Sequence, residues 1–284
     1  HWGVDNPNNP PRGQYYSNHT YLMNAPIVVD MDRDGYPEVI FAGAPTYPSL
    51  CSEELSTTYI FVLDGRDGSQ KWVSPQGVRV NALAYPAAGD LDGNGYPEVV
   101  FPTPNNLLFL EYDSSTSTYR YTFSQDTLPS LSWGSVTIAN IDQSGFPEIV
   151  IGNTVFRANG ARLWQGEGSR GSVDFCYSAN SLVADVDLDG VLEVVAGPTV
   201  YNPNGTIKYR NTNLTDGFVA TANFDNDPQA EIVLVSRGRV YILEHDLSLV
   251  RSADIPGGGF GGPPMIGDVD GNGIPEICTA GQSR

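Results

Sequence analysis

The sequence predicts an all-β protein built from repeated antiparallel sheets, and three observations carry this prediction. Glycine and proline supply 31 and 21 of the 284 residues. Short apolar runs alternate with clusters of Gly, Pro, Asn and Asp, which are the signals of strands and turns. A segment made of an apolar strand, an acidic loop and a second apolar strand recurs along the chain. Since no stretch has the capped pattern of a long amphipathic helix, we expect strands throughout.

The recurring segment is present in six copies: VVDMDRDGYPEVIFAG, AAGDLDGNGYPEVVFPT, TIANIDQSGFPEIVIGN, LVADVDLDGVLEVVAGP, ATANFDNDPQAEIVLVS and MIGDVDGNGIPEICTAG. The first acidic or amide position of each copy follows the previous one at intervals of 60, 50, 45, 38 and 45 residues. This spacing is the repeat length of a four-stranded propeller blade. We therefore predict a six- or seven-bladed β-propeller of four-stranded antiparallel blades, with calcium-binding loops.

Within each unit, one strand enters the acidic loop and a second leaves it, and in most units two further strands follow around a tight turn. The turns contain Asp-Gly or Asn-Gly, which suit the positive φ of hairpin turns. The strand after each loop is almost entirely apolar, as expected for a strand covered on both faces. We predict that neighbouring blades supply that cover and that residues 1–284 form a single domain. The sixth unit ends after EICTAG, so either residues 1–25 close the ring or the chain belongs to a longer protein.

The composition limits the function classes. Hydrophobic residues make up 40% of the chain, which suffices for a sizeable core, and no apolar run reaches the roughly 18 residues of a membrane-spanning helix. The formal net charge of −18 repels nucleic acid and anionic lipid. We expect no nucleic acid partner and no direct membrane insertion. Because the first residue is His1, we also expect a processed or trimmed chain, with any signal peptide outside it.

The first acidic loop reads Asp30-x-Asp32-x-Asp34-Gly35-x-x-Glu38. Carboxylates at alternate positions of a curling loop point inward together, the glycine permits a sharp turn, and the last acid closes the shell. Hard oxygen ligands in this number suit Ca²⁺. An EF-hand begins in the same way, but it needs Glu at position twelve and helices on both sides. Position twelve of the six loops holds no carboxylate, so the EF-hand interpretation is rejected.

This pattern resembles the FG-GAP repeats, also called VCBS repeats, of integrin α-subunit propellers and of many bacterial and fungal surface proteins. The resemblance covers about residues 20–284. It implies that four to six Ca²⁺ ions are bound through the matching positions, with the backbone carbonyl of the seventh position as a further ligand. Loop five departs from the pattern because Pro228 replaces the glycine, and loop three has the fewest acids, so we expect weaker binding or vacancy there. The implied ligands are Asp30, Asp32, Asp34, Tyr36 and Glu38; Asp90, Asp92, Asn94, Tyr96 and Glu98; Asn140, Asp142, Ser144 and Glu148; Asp185, Asp187, Asp189, Val191 and Glu193; Asn223, Asp225, Asp227 and Glu231; and Asp268, Asp270, Asn272, Ile274 and Glu276.

Electrostatics favour a structural ion over solvated turns. The six loops hold 19 of the 33 acidic residues: four each in the first and fourth, three each in the second, fifth and sixth, and two in the third. Two like charges 4 Å apart repel by about 4 kcal/mol at an effective dielectric of 20. Without a cation, a four-acid loop should therefore splay or take up protons.

No catalytic motif is present, so we predict that the chain is not an enzyme. The first functional hypothesis is an extracellular adhesion or recognition module for a protein or glycan partner. The alternatives are a lectin-like carbohydrate binder, a structural subunit of an extracellular fibre or matrix, and a polysaccharide lyase. Trp72 and Trp164 occupy matching outer strands, where we predict packing between blades. Other aromatic residues are candidate sugar-stacking platforms: Trp2, Tyr15, Tyr16 and Tyr21.

Cysteines and sequons are compatible with a secreted glycoprotein. Cys51 and Cys176 lie in looser sequence and could pair, whereas Cys278 lies in a strand-like run, where we expect a buried free thiol. Sequons begin at Asn18, Asn204 and Asn213.

Overall fold

The structure is a computed structural model that describes residues 21–22, 25–44, 59–75, 78–81, 84–128, 134–173, 179–225 and 227–281. These residues contain 23 β-strands and no helix. The predicted all-β class is therefore confirmed. Among the same residues, no helix long and apolar enough to cross a membrane is found.

The first three sheets follow one another along the chain. Sheet 1 consists of β1 (Tyr21–Leu22), β2 (Ile27–Val29), β3 (Glu38–Ala44), β4 (Tyr59–Asp64) and β5 (Gln70–Val73). Sheet 2 consists of β6 (Ala87–Gly89), β7 (Glu98–Pro102), β8 (Leu107–Asp113) and β9 (Thr118–Phe123). Sheet 3 consists of β10 (Val136–Ala139), β11 (Glu148–Ile151), β12 (Thr154–Phe156) and β13 (Arg162–Gln165).

The remaining three sheets repeat this arrangement. Sheet 4 consists of β14 (Leu182–Ala184), β15 (Glu193–Val195), β16 (Thr199–Tyr201) and β17 (Ile207–Arg210). Sheet 5 consists of β18 (Phe218–Ala222), β19 (Glu231–Ser236), β20 (Arg239–Leu243) and β21 (Leu249–Asp254). Sheet 6 consists of β22 (Met265–Gly267) and β23 (Glu276–Cys278).

In sheets 2 to 6, each strand pairs with its neighbours in sequence. Sheets 2 to 5 have four strands each in chain order, and in sheet 1 both β1 and β2 pair with β3. The pairing is antiparallel, for example between β7 and β8 and between β19 and β20. This arrangement is consistent with the blades of a β-propeller, and the outer hairpins predicted from the sequence are present as β4–β5, β12–β13, β16–β17 and β20–β21.

In four of the six units, the strand that follows the acidic loop lies entirely in the core, as its apolar sequence predicts. Every residue of β7, β11, β15 and β19 is buried. The cover comes from adjacent sheets, because one apolar cluster joins residues of sheets 1 and 2, another joins sheets 3 and 4, and a third joins sheets 4 and 5. Each fully buried Val, Leu, Ile or Phe contributes about 1.5–3 kcal/mol, so stacking the sheets supplies stabilisation that one sheet alone lacks.

Tryptophans on the outer strands pack between sheets, as predicted. The Trp72 ring in β5 lies 6.4 Å from the ring centroids of both Tyr119 and Tyr121 in β9. The Trp164 ring in β13 lies 5.9 Å from that of Tyr201, and its Nε1 donates to the Pro203 carbonyl at 2.7 Å. Gly205 has φ +83° in the adjoining turn, and a Cβ there would lie 2.7 Å from the indole. Both roles are packing, and glycine is required where the ring closes on the turn.

By its internal contacts the chain divides into two compact units, residues 1–138 with 158–161 and residues 139–157 with 162–284. The first unit has a core around Ile40, Val62 and Leu110, and the second has cores around Val200 and around Val150. The single domain over 1–284 stays a prediction. Most of the proposed ring-closing segment 1–25 lies outside the described residues.

The prediction for Cys278 was half wrong. The thiol is free, as expected, but it is exposed rather than buried. Strand β23 pairs with β22 in a sheet that has two strands among the described residues, so its outer face lacks the cover that β19 receives. Asn204 and Asn213 are both exposed and accessible to glycosylation. Cys51, Cys176, Asn18, Trp2, Tyr15 and Tyr16 lie outside the described residues, as does the side chain of Tyr21.

Candidate metal centres

Six nine-residue loops connect the first strand that enters each unit to the strand that leaves it. We number their positions one to nine and call them loop 1 (30–38), loop 2 (90–98), loop 3 (140–148), loop 4 (185–193), loop 5 (223–231) and loop 6 (268–276). Position nine is always a glutamate, and it is the first residue of the second strand. The strand therefore fixes the backbone from which this carboxylate projects.

The position-nine glutamate closes each loop through one conserved contact. Its Oε2 accepts a hydrogen bond from the backbone N–H of position two in all six loops, at 2.8 Å for Met31, 2.8 Å for Leu91, 3.0 Å for Ile141, 3.1 Å for Val186, 2.6 Å for Phe224 and 2.8 Å for Val269. The glutamates of loops 1 to 5 are buried. A carboxylate bonded in this way leaves its second oxygen available to a cation.

The first half of the loop is held by a second bond of the same kind. The position-one aspartate of loops 1, 2, 4 and 6 accepts a hydrogen bond from the N–H of the position-six glycine at 2.9–3.0 Å. That glycine has positive φ, for example +89° at Gly35. Position four also has positive φ in the five loops where the structure describes it, which the sequence did not lead us to predict. It is filled by Arg33, Gln143 and Leu188 in loops 1, 3 and 4, at a cost of about 1–3 kcal/mol each.

Five of the six loops bring three carboxylates together. One oxygen from each residue lies within 4.8 Å of the other two, in the sets Asp30, Asp32, Glu38; Asp90, Asp92, Glu98; Asp185, Asp187, Glu193; Asp225, Asp227, Glu231; and Asp268, Asp270, Glu276. Loop 3, with the two carboxylates Asp142 and Glu148, forms no such set among the described residues. These five acidic clusters could hold a metal ion.

Loop 5 reaches its cluster by a different route, in keeping with its departure from the sequence pattern. It uses positions three, five and nine, whereas the other four use positions one, three and nine. Position one is Asn223, whose side-chain amide donates to the Asp227 carbonyl at 2.6 Å. The amide therefore supports the turn where Pro228 stands in place of glycine.

Position five serves the loop itself in all the loops that carry an acid or amide there. Its side-chain oxygen accepts from the N–H of position seven, at 2.9 Å between Asp34 and Tyr36, 2.6 Å between Asn94 and Tyr96, 2.8 Å between Asp189 and Val191, 3.0 Å between Asp227 and Gln229, and 2.7 Å between Asn272 and Ile274. In loop 3, the Ser144 hydroxyl donates to Asp142 at 2.8 Å. The predicted ligand role of the position-seven carbonyl stays a prediction.

Buried oxygens without a hydrogen-bond donor test whether these loops suit a cation. Within the described part of the chain, such atoms include Asp30 Oδ1, Asn140 Oδ1, Asp187 Oδ1 and Glu231 Oε1, one in each of four loops. A buried acceptor without a donor is costly in a folded protein. A divalent cation with oxygen ligands would satisfy these atoms, and an all-oxygen set suits Ca²⁺. The residues therefore fit the ion that the sequence predicts.

Two lysines that the sequence analysis overlooked contact the loops that carry four acids. Lys71 Nζ lies 2.8 Å from Asp32 Oδ2 and 2.5 Å from Glu38 Oε1 in loop 1. Lys208 contacts loop 4 in the same way, with Nζ 2.6 Å from Asp187, 2.8 Å from Asp189 and 2.9 Å from Glu193. Although burial opposes it, hydrogen bonding to these carboxylates raises the pKa of each lysine. Both ammonium groups are therefore charged.

The glutamates differ in their electrostatic surroundings. Burial raises the pKa of Glu98 to about 7, and repulsion from Asp92, Asp90 and Glu111 adds to this effect. Burial also raises the pKa of Glu38 and Glu193, but hydrogen bonds from Lys71 and Lys208 oppose the rise. Glu98 of loop 2 therefore lies among like charges, with no lysine bonded to it as there is at Glu38 and Glu193.

Part of the chain matches a known family model, and several solved structures are similar to it. Residues 30–101, which include loops 1 and 2, match the family model of the FG-GAP-like repeat. The resemblance to FG-GAP repeats seen in the sequence is therefore confirmed. No curated protein is similar enough to the chain to count as a relative.

Solved structures similar to this chain include the Vibrio cholerae (V. cholerae) biofilm matrix protein Bap1, at 25% identity and a TM-score of 0.64 over 88% of this chain and 42% of that one. They also include a Bacillus licheniformis rhamnogalacturonan lyase, at 17% identity and a TM-score of 0.65 over 91% of this chain and 55% of that one. Rhamnogalacturonan lyase YesW is 18% identical with a TM-score of 0.64, over 91% of this chain and 55% of that one. The chain thus spans about half the length of these proteins, and the likeness to the lyases concerns the fold.

Proposed function

We propose that the chain is an extracellular β-propeller of six or seven blades that holds four to six structural Ca²⁺ ions. The observation that carries this proposal is the set of five carboxylate clusters whose oxygens lie within 4.8 Å of one another. The buried oxygens without donors at Asp30 and Asp187 add support. When bound, the ion would neutralise the loop carboxylates and link the two strands that flank each loop.

The role that we propose for this module is adhesion or recognition in an extracellular matrix, with a protein or carbohydrate as partner. Similarity to a biofilm matrix protein over 88% of the chain supports this assignment and favours the matrix role over a free lectin. The exposed sequons at Asn204 and Asn213 are compatible with secretion. The charge of −18 favours a partner that is neutral or basic.

We further propose that the chain has no catalytic activity of its own. In the described residues, the acidic groups of three or more that lie close together all belong to the loops. In each of the five groups, the glutamate accepts a bond from the backbone of its own loop. Carboxylates committed in this way are poorly placed to act as general acid and base on a glycan. Incubation with rhamnogalacturonan should produce no rise in ultraviolet absorbance from unsaturated products, and a calcium-dependent rise would overturn this part of the proposal.

Elemental analysis and calorimetry test the metal. After dialysis against calcium and removal of free ions, the purified chain should retain four to six Ca²⁺ per molecule. One site filled to 100 times its Kd stabilises the fold by about 2.7 kcal/mol, so several sites should raise Tm by more than 10 °C over the value in chelator. Unchanged melting in excess chelator would contradict a structural role for the ion.

Binding measurements test recognition. The calcium-loaded chain should bind components of a purified extracellular matrix or a glycan array, and should lose that binding in chelator. The D187A variant disrupts the carboxylate cluster of loop 4. The control is S144A, which alters loop 3, where no three-carboxylate cluster forms among the described residues. Binding that persists in chelator would separate recognition from the metal sites.

A further inference from the structure

The chain contains two lysines, Lys71 and Lys208, against thirteen arginines. Both ammonium groups contact an acidic loop, and the loops that they contact are loops 1 and 4. These are the two loops with an aspartate at both position one and position five, the latter being Asp34 and Asp189, and hence with four acids. In loops 2, 3 and 6, position five is Asn or Ser, and in loop 5 position one is Asn. Each lysine therefore accompanies a fourth carboxylate.

Each of these lysines lies at a β-bulge in an outer strand. In sheet 1, Val62 pairs with Trp72 and Leu63 pairs with Gln70, so Lys71 is the extra residue of a β-bulge. In sheet 4, Val200 pairs with Tyr209 and Tyr201 with Ile207, so Lys208 is the extra residue there. A bulge redirects the side chain of the extra residue. In both sheets it directs the ammonium to the carboxylates at positions three and nine.

The same bulge recurs without lysine where a loop has fewer acids. The extra residue is Leu163 in sheet 3 and Val250 in sheet 5. Sheet 2 has a regular β8–β9 pairing over its described register. The bulge therefore recurs in four of the described sheets, and lysine occupies it where the loop carries a fourth negative charge.

Counting formal charges shows what the lysines achieve. Counting only the loop acids and the lysine ammonium, loops 1 and 4 each give −3, while loop 1 also contains Arg33 and has Arg66 3.4 Å from Asp34. Loops 2, 5 and 6 have three acids and no lysine, which also gives −3. On this count of acids and lysines alone, a divalent ion would bring each of the five loops to −1. Loop 3, with two acids, is the exception.

We propose that Lys71 and Lys208 are built-in counter-charges that hold loops 1 and 4 together without an ion and reduce the affinity of those loops for calcium. This inference rests on the proposed metal binding, and it adds a division of the loops into two classes. In loops 1 and 4, an entering ion shares carboxylates with an ammonium already bonded to them. In loops 2, 5 and 6, no lysine is bonded to the carboxylates that the ion would meet, so those loops depend on it more strongly.

Lysine-to-methionine variants test this division, because methionine keeps an unbranched side chain and removes the charge. In chelator, K71M and K208M should each melt below the wild type by roughly 2–4 °C for each kcal/mol lost. Their calcium affinity should rise at least tenfold, which corresponds to about 1.4 kcal/mol. The difference in Tm between calcium and chelator should therefore be larger in K71M and K208M than in the wild type. The control is R239M, which removes an equal charge from the Arg239–Asp254 pair away from the loops.

A gain-of-charge variant tests the same proposal in the opposite direction. Val250 lines a cavity of about 370 Å³ together with Asp225 and Glu231 of loop 5. The V250K variant should raise Tm in chelator and reduce the further rise that calcium produces. This variant keeps the proposal testable if K71M or K208M fails to fold, since it adds an ion pair and removes none.

A direct probe follows from the lysine count, since carbon-13 labelling of lysine gives two side-chain signals that K208M assigns to their loops. Calcium titration of the wild type should shift both lysine signals. The shift should occur at a higher calcium concentration than that at which loops 2, 5 and 6 bind the ion. The counter-charge proposal is overturned if K71M and K208M bind calcium no more tightly than R239M and have the same Tm as R239M in chelator. If the wild type retains no calcium at all, the proposed function fails, whereas the melting of K71M in chelator still decides whether the lysines hold their loops.

Discussion

Loops 1 and 2 share one backbone and differ in what faces their glutamates. In both, the position-nine Oε2 accepts from position two at 2.8 Å and the position-one aspartate accepts from the glycine at 3.0 Å. Glu38 then meets the ammonium of Lys71, whereas Glu98 meets the repulsion of Asp92, Asp90 and Glu111. The same loop can therefore be held by an internal cation or left to rely on an external one.

The largest expected effect comes from replacing the position-nine glutamate of loop 1 or loop 2 with glutamine, which removes its negative charge. In chelator, E38Q should destabilise the fold by about 2–3 kcal/mol, because it takes a buried partner from Lys71. E98Q should stabilise it by about 1–2 kcal/mol, because it relieves repulsion on a glutamate whose pKa is raised to about 7. Denaturant unfolding of both variants measures the two signs. Equal effects would remove the distinction between the two loops.

Adding a fourth acid to loop 2 should have a smaller effect. N94D gives loop 2 the acid count of loop 1 without a lysine, so we expect a loss of about 1–2 kcal/mol in chelator and a steeper gain in stability with calcium. The matched change in loop 1 is D34N, which leaves Lys71 with Asp32 and Glu38 and should cost less than 1 kcal/mol, as for an exposed pair. If N94D proves as harmless as D34N, charge balance does not control the loops.

A final effect concerns pH in the absence of metal. Because the folded chain holds the Glu98 proton up to about pH 7 and the ordinary value is 4.5, the folded state binds more protons than the unfolded state between these limits. Stability in chelator should therefore rise as pH falls through this window. E98Q should flatten the rise and E38Q should flatten it less. In calcium the slope should reverse, because protons compete with the ion. If stability measured in chelator instead decreases as the pH falls from 7 to 4.5, the pH dependence does not come from Glu98.

The sequence predicted the architecture because its signals are local and repeated. Strand, loop and strand recur six times, and the apolar runs after each loop, such as EVVF and EIVI, became the buried strands β7 and β11. The acidic positions were likewise visible as a spacing of alternate residues. Five loops brought three of these acids together, and the loop with the fewest acids formed no cluster among the described residues.

What the sequence did not reveal depends on contacts across the sheet. Lys71 is 39 residues from Asp32, and only the register of β4 and β5 with its bulge brings them together. One signal was available, since the two lysines of the chain precede an aromatic residue in the outer strands of the two four-acid units. Cys278 shows the converse, because an apolar sequence indicates a strand and leaves open whether a neighbouring sheet covers it.

The bond from position two to the position-nine glutamate also has a bearing on how the chain folds. Donor and acceptor are seven residues apart in every loop, so the contact can form as soon as its own hairpin does, on the microsecond scale. Hairpin assembly need not wait for an ion, since the carboxylate already has a donor. Calcium would then act late, slowing the unfolding rate of completed sheets while leaving the earliest refolding phase unchanged.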